Sequence, residues 1–426
     1  MIFEIGGIPL QTLLFGYVFY YPLVMSVVWI CGGLAHALVL ERQRHKVIDP
    51  LRLLPEAAGL PMVTVVVPCH NEAAHVRDVI DQVMRTNYPN YEVIAVNDGS
   101  KDATGLILNE MTQTHSRLRV VHHAKNQGKA VGLNTAALLA RSEYILGIDG
   151  DALLDPDAIA WLMIQMLQYK RLGAITGNPR IRNRTSMLGR MQVGEFSSIV
   201  GLIKRTQQLV LGRLFTVSGV IAMFRRKALL QVGFWSPDAL TEDIDVSWKL
   251  QLAGWSVSFE PRALCWILMP ETLRGLLKQR LRWATGGIQT MLRNTGALID
   301  LRQWRLWPIA LEYLASVFWA YAMFFVMVLA ALQYFLPASW QVGFVPEWHG
   351  VVLAIACMVQ LLSSMWIDHH YDRNLLRYFA WTIWYPLGFW LIGMLVTVVA
   401  VPQSLLRRRG KRATWTSPDR GINHAP

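Results

Sequence analysis

Thr241-Glu242-Asp243 and Gln279-Arg280-Leu281-Arg282-Trp283 are the residues of this chain best equipped for chemistry. A carboxylate in the first group can take a proton from a hydroxyl. In the second, an amide and a guanidinium can hold an anion, and an indole can stack on a ring. The set suits transfer of a sugar from a diphosphate leaving group to a hydroxyl, with Asp243 as general base and Glu242 as the next candidate. Alone, Thr-Glu-Asp reads as a threonine cap followed by acids in the first helical turn. The later Gln-x-x-Arg-Trp makes the pair specific.

Further carboxylates follow apolar runs. Asp98 follows Val93–Val96, and Asp149 and Asp151 follow Tyr144–Ile148. Two acids spaced as Asp149-Gly150-Asp151 can hold one hard divalent cation that bridges a diphosphate. Asn126-Gln127-Gly128-Lys129 lacks the paired glycines and the Ser/Thr of a Walker loop, which excludes a P-loop ATPase.

These residues need a scaffold. Val63–Val67, Val93–Val96, Leu118–Val121 and Tyr144–Ile148 are short runs rich in β-branched residues. Helix-like stretches at about 72–86, 103–115 and 129–139 separate them. Unbroken apolar strands alternating with helices predict an α/β domain with a mostly parallel sheet covered on both faces. In such sheets ligands bind at the carboxyl ends of strands, where Asp98, Asp149 and Asp151 fall. Asp155-Pro156 reads as an N-cap with proline at the first helical position.

Of 426 residues, 53% are hydrophobic and 16% charged, the balance of a membrane protein with a soluble part. Residues 12–40 are long enough to span a bilayer, and the acidic leader and long apolar run argue against a signal peptide. Three more apolar segments run at about 308–336, 351–367 and 378–401. The basic run Arg42–Lys46 places that end in the cytoplasm and the N-terminus outside. Three later crossings would then put the tail outside, while its own run Arg407–Arg412 favours the inside; Pro386 suggests that the last segment is broken or re-entrant. Residues 186–213 and 272–293 read as amphipathic helices, either at the membrane surface or in the soluble domain. The net charge of +12 fits a membrane surface and an anionic substrate. No nucleic-acid module is visible. The scattered Cys31, Cys69, Cys265 and Cys357 read as free thiols.

Val67-Pro-Cys-His-Asn-Glu72, Val96-Asn-Asp-Gly-Ser100, Asp149-Gly-Asp151, Thr241-Glu-Asp243 and Gln279–Trp283 occur in the order seen in family 2 inverting glycosyltransferases. The chain resembles the processive membrane synthases of that family. Thr176–Arg182, Thr216–Val220, Ile267–Glu271 and Trp415–Gly421 are similar to the bacterial enzymes that link N-acetylglucosamine through β-1,6 bonds into a biofilm exopolysaccharide. The resemblance implies a GT-A fold flanked by transmembrane and interfacial helices. It implies UDP-N-acetylglucosamine as donor, Mg²⁺ or Mn²⁺ as cofactor, a small membrane partner subunit and activation by cyclic di-GMP. It implies a multi-pass protein of the bacterial inner membrane with its catalytic domain in the cytoplasm. Residue by residue, it gives Pro68, Glu72 and Asp98 the nucleotide and Asp149 and Asp151 the diphosphate and metal. Asp243 is the base, Gln279 and Arg282 grip the diphosphate, and Trp283 is the acceptor platform; Arg280 receives no role. The expected layout is an anchor with basic junction (1–46), a linker (47–61), the catalytic domain (62–270), interfacial helices (271–307), transmembrane segments (308–403) and a basic tail (404–426). A transferase that adds one sugar to a lipid carrier is the alternative.

Overall fold

Four β-branched runs form one half of an eight-stranded sheet: β1 (Val63–Cys69), β2 (Tyr91–Asp98), β3 (Leu118–His123) and β4 (Tyr144–Ile148). They pair in parallel in the order β3-β2-β1-β4. The computed structural model describes residues 4–5, 8–41, 49–56, 59–332, 335, 347–407 and 410–414. The basic run Arg42–Lys46 and the Trp415–Gly421 motif lie outside them, as do parts of the linker and of the tail's basic run.

The sheet continues through strands that the sequence pattern did not announce. These are β5 (Leu153–Leu154), β6 (Leu172–Ile181), β7 (Ile221–Arg225) and β8 (Ser256–Ile267), in the order β4-β7-β6-β8-β5. β7 runs antiparallel to both β4 and β6, while β6 and β8 are parallel, so the sheet is mixed and mostly parallel. Gly173, Gly177 and Pro179 obscure β6, and a register shift between Phe259 and Leu264 interrupts β8 around Glu260-Pro261-Arg262. Pairing within the sheet overrides these local breakers.

Helices α2 (Val76–Met84), α3 (Thr104–Thr114), α4 (Lys129–Leu139) and α5 (Ala158–Gln168) flank the strands. The first begins later than its apolar pattern implies, because Glu72–His75 closes a turn after Asn71 at φ +55°. Asp157, not Asp155, precedes α5 as its cap. Asp155 instead accepts the Asp157 amide in a local turn at 3.1 Å.

A second layer lies between this domain and the apolar helices. It holds α6 (Met187–Phe196), which continues through wide π-type turns and one α-turn (Ile203–Thr206) to Leu211. It also holds α8 (Leu273–Arg293), capped by Thr272 on the Gly275 amide at 3.1 Å. Among the described residues, four helices are long and apolar enough to cross a membrane. They include α1 (Leu10–His36, extended by Ala37–Glu41), α9 (Trp307–Leu332), α10 (Glu347–Asp368) and α11 (Tyr385–Leu406).

Buried ion pairs lock α1 and α10 to the second layer and the sheet. Arg205 binds Glu41 at 2.6 Å and Asp368 at 2.8 Å, Arg180 binds Asp368 at 2.6 Å, and Arg184 binds Asp372. Such pairs fix geometry more than they add stability. Pro386 sits in the first turn of α11, where its missing N–H costs nothing, and a 3₁₀ helix (Leu375–Trp384) precedes it. Both ends of α11 meet domain-side elements. Phe389 packs on Met191 and Leu276, and Ser404 donates to the Thr285 carbonyl at 3.1 Å. Residues 410–413 then lie on the sheet domain through Ala413 N–H to Pro237 O (3.0 Å) and Arg412 to Gln127 (3.0 Å). Residues 410–413 are therefore held against the sheet domain.

Candidate active site

One cavity of about 430 Å³ opens where the ends of β4 and β8, the N-terminus of a helix, and the second layer meet. It is lined by Asp149, Asp151, Glu242, Asp243, Gln279, Arg282 and Trp283, which the sequence keeps far apart. Asp149 and Asp151 leave β4 on a tight turn in which the Ala152 amide donates to Asp149 O at 3.1 Å. Gly150 fits closely there: a Cβ would lie 3.0 Å from Pro68 O and 3.2 Å from Glu72 Cγ.

Glu242 and Asp243 open α7 (Glu242–Leu252), whose first-turn amides favour negative charge. Thr241 stands at the cap position, but its side chain makes no capping bond. Asp243 accepts from the Ile244 amide at 2.9 Å and from the Gly219 amide at 3.1 Å. Burial, and then the neighbouring Glu242, push the Asp243 carboxyl above the ordinary aspartate value. Burial also opposes ionisation of Glu242, but Lys129 and then Arg282 outweigh it and hold that carboxyl low. The pair is thus split into a carboxylate kept ionised and one poised to accept a proton, the pattern of an acid–base site.

Lys129, read from sequence only as part of a loop that is not a Walker motif, is central to the electrostatics. At the start of α4 its Nζ lies 2.6 Å from Asp149 Oδ1 and 2.9 Å from Glu242 Oε1, and it donates to Gly219 O at 3.1 Å. These acids raise its pKa against the opposing effect of burial. Burial raises Asp149 in turn, with Lys129 opposing and Asp151 reinforcing.

Gln279, Arg282 and Trp283 lie on one side of α8. The Gln279 Oε1 is buried with no hydrogen-bond partner among the described residues. Trp283 is half-buried, with the Phe196 ring centroid 6.3 Å away. Arg280, given no role by its place in the motif, lies beneath it: its guanidinium is 4.3 Å from the indole centroid and pairs with Glu195 at 2.5 Å. Gly286 lets α8 approach the Thr-Glu-Asp turn, since a Cβ there would fall 2.1 Å from Thr241 Oγ1.

Pro68, Glu72 and Asp98 are buried at neighbouring strand ends and do not line this cavity. The Asp98 carboxylate accepts from the Gln127 and Gly128 amides at 2.9 and 2.8 Å and meets His123 Nδ1 at 2.8 Å. It holds the loop before α4, and so helps set where Lys129 begins.

The donor set fits a divalent cation. Its oxygens are hard, and the Lys129 ammonium already occupies a cation position between two of the carboxylates. Four carboxylates face only Lys129, Lys204 and Arg282 among the cavity's cations, so a bound diphosphate would need added positive charge. Among the described residues no three His, Cys, Asp or Glu side chains group closely enough to hold an ion. Asp149 and Asp151 would therefore share it with phosphate oxygens and water, the usual habit of Mg²⁺.

A mixed sheet whose acidic strand ends face a cavity roofed by α6 and α8, joined to long apolar helices, defines a GT-A glycosyltransferase with a membrane bundle. The chain belongs to glycosyltransferase family 2: a family model described as "Glycosyltransferase like family 2" matches residues 61–286. It is 36% identical over 414 residues to a poly-β-1,6-N-acetyl-D-glucosamine synthase of Staphylococcus epidermidis, covering 96% of this chain and 98% of that one. A synthase of the same name from Staphylococcus aureus strain COL is 34% identical over 410 residues, with the same coverage. Among solved structures, a mannosyltransferase of Pyrobaculum calidifontis, in complex with GDP-Man and Mn²⁺, shares the fold. Its TM-score is 0.59 at 21% identity, covering 89% of this chain and 99% of that one.

Proposed function

We propose that this chain is an inverting, processive glycosyltransferase that polymerises N-acetylglucosamine from UDP-N-acetylglucosamine into a β-1,6-linked exopolysaccharide and helps move it across the membrane. The observation that carries the reading is the meeting of Asp243, Glu242, Asp149, Asp151 and the Gln279–Trp283 motif in one cavity roofed by α6 and α8. Near-full-length similarity to the staphylococcal synthases supports the donor and the product.

In this reading Asp243 takes the proton from the acceptor hydroxyl as that oxygen attacks the anomeric carbon from the face opposite UDP. The new C–O bond forms as the bond to the β-phosphate oxygen breaks, and UDP leaves with the electron pair. Gln279, Arg282 and Lys129 meet the developing phosphate charge. Asp149 and Asp151 would hold Mg²⁺ or Mn²⁺, with Asp151 as the more direct ligand, and the bound cation would supply charge neutralisation for a leaving diphosphate. Pro68 and Glu72 shape the nucleoside end, and Asp98 acts on the uracil through the 126–128 loop it fixes. Trp283 carries the terminal sugar of the acceptor. The catalytic domain faces the cytoplasm of a bacterial inner membrane. On family resemblance, a small membrane subunit and cyclic di-GMP activate the chain.

Membranes containing the chain, its partner and labelled UDP-N-acetylglucosamine test the reading by product size. Long polymer supports it. A lipid bearing one sugar would favour single-sugar transfer to a carrier, and no labelled product at all would remove the activity.

A further inference from the structure

Lys204 is a buried cation that the mechanism above does not use. It lies in the α-turn Ile203–Thr206, between the π-type stretches of the run that continues α6, and is only 5% exposed. Its ammonium has three donors. Among the described residues its one hydrogen-bond partner is Ser218 Oγ, at 2.6 Å. A buried ammonium with spare donors is expensive unless something else meets them.

The cavity lies where those donors can be used. Lys204 and Ser218 both line it, together with Asp243 and Trp283. Ser218 is itself fixed, its amide donating to Thr176 Oγ1 at 2.8 Å. Burial pulls the Lys204 amine down to about 7, with Asp243 opposing, so an oxygen ligand would relieve a group under strain from desolvation.

Its place also sorts it from the other cations. Lys129 comes from the sheet side and is already held by Asp149 and Glu242. Lys204 comes from the layer that packs on α1, where its neighbour Thr206 donates to Trp29 O at 3.1 Å. Phe196, Ile199 and Val200 from the same run line the cavity, and Phe196 faces the Trp283 indole. Lys204 therefore comes from the aromatic side of the cavity that packs on α1, opposite the strand ends, where an acceptor sugar rather than a nucleotide would lie.

We propose that Lys204, anchored by Ser218, grips an oxygen of the acceptor's terminal N-acetylhexosamine, a ring hydroxyl or the acetamido carbonyl, and sets that sugar's hydroxyl against Asp243. The proposal rests on the cavity being a glycosyltransferase site.

The test uses the purified full chain with its partner, UDP-N-acetylglucosamine, and a β-1,6-linked N-acetylglucosamine trisaccharide as acceptor. Lys204→Met keeps the length of the side chain and removes the donors. The KM for the trisaccharide should rise at least tenfold, about 1.4 kcal/mol, while the Kd for UDP stays within twofold. Ser218→Ala leaves the amine in place without its anchor and should raise the same KM by a smaller factor. Lys204→Arg should restore part of the loss. An unchanged trisaccharide KM in both Lys204→Met and Ser218→Ala overturns the proposal. So does an equal weakening of UDP binding, which would make Lys204 a diphosphate or structural residue. A wild-type chain that binds UDP but never extends the trisaccharide fails the glycosyltransferase reading itself, and the proposal falls with it.

Discussion

Replacing Lys129 by Met removes the one ammonium that touches both Asp149 and Glu242. Met matches the length of the stem, so packing changes little, and the effect is electrostatic. Removing one partner from a buried ion pair costs about 3–5 kcal/mol. The side chains here are 17%, 22% and 9% exposed for Lys129, Asp149 and Glu242, facing an open cavity. Solvent screening brings the expected loss below that range, to about 2–3 kcal/mol. For a domain of this size that is a melting shift of roughly 4–12 °C.

The sign of the pH dependence follows from the two partners. Lys129 is raised above its ordinary value, so its contribution is complete below that value and is lost only as pH climbs through the folded pKa. Glu242 is held below its ordinary 4.5, so its contribution is present above about pH 4.5 and fades as pH falls. Without Lys129, burial and the remaining carboxylates raise Glu242 and Asp149, which can then shed their cost by taking up protons in acid. The destabilisation should therefore be larger at about pH 8 than at about pH 5. Thermal unfolding of the two proteins in the same detergent, at both pH values, measures it. Equal melting at pH 8, or a loss that does not shrink in acid, would refute the assignment of Lys129 as the counter-ion of this cluster.

Asp243→Asn keeps shape and removes the proton acceptor; synthesis should fall by about 10²–10⁴-fold, with UDP binding retained, and near-normal turnover would move the base to Glu242. Because burial and Glu242 raise Asp243, the wild-type rate should decline with acidification at a higher pH than an ordinary aspartate would dictate, and a pH–rate profile checks this. Chelation with excess EDTA should abolish transfer and Mg²⁺ or Mn²⁺ should restore it, whereas full activity in EDTA would exclude the cation from Asp149 and Asp151. Gly286→Ala places a Cβ 2.1 Å from Thr241 Oγ1; α8 must shift, and the rate of polymer synthesis per folded molecule should drop at least tenfold.

The first half of the sheet was legible because its strands are short, apolar and β-branched, and because parallel strands covered on both faces leave no alternation to confuse the pattern. β6 and β8 were not, since Gly173, Gly177, Pro179 and Pro261 speak locally against strand. Their pairing with each other is a long-range fact that no window of sequence contains. The tail shows the same limit. Charge rules applied one segment at a time gave two opposite sides, whereas the contacts of Ser404, Arg412 and Ala413 with α8 and the sheet domain are long-range facts that neither rule contains.

The candidate site divides along a similar line. Asp149-x-Asp151, Glu242-Asp243 and Gln279–Trp283 stood out because each packs several chemical groups into a few residues. Lys129, Lys204 and Arg280 did not, because a single cation acquires meaning from what it faces. Lys129 meets Glu242, Lys204 meets Ser218, and Arg280 meets Glu195 and the Trp283 ring. The acids had to be matched by cations, since four carboxylates cannot share one cavity uncompensated. That requirement was readable from the motifs alone, and it calls for basic residues from elsewhere in the chain. Which ones answer it depends on where α4, α6 and α8 come to rest, and Gly219 and Gly286 permit two of the close approaches involved. They allow the loop of the first to pass within reach of Lys129 and Asp243, and the helix of the second to close on Thr241.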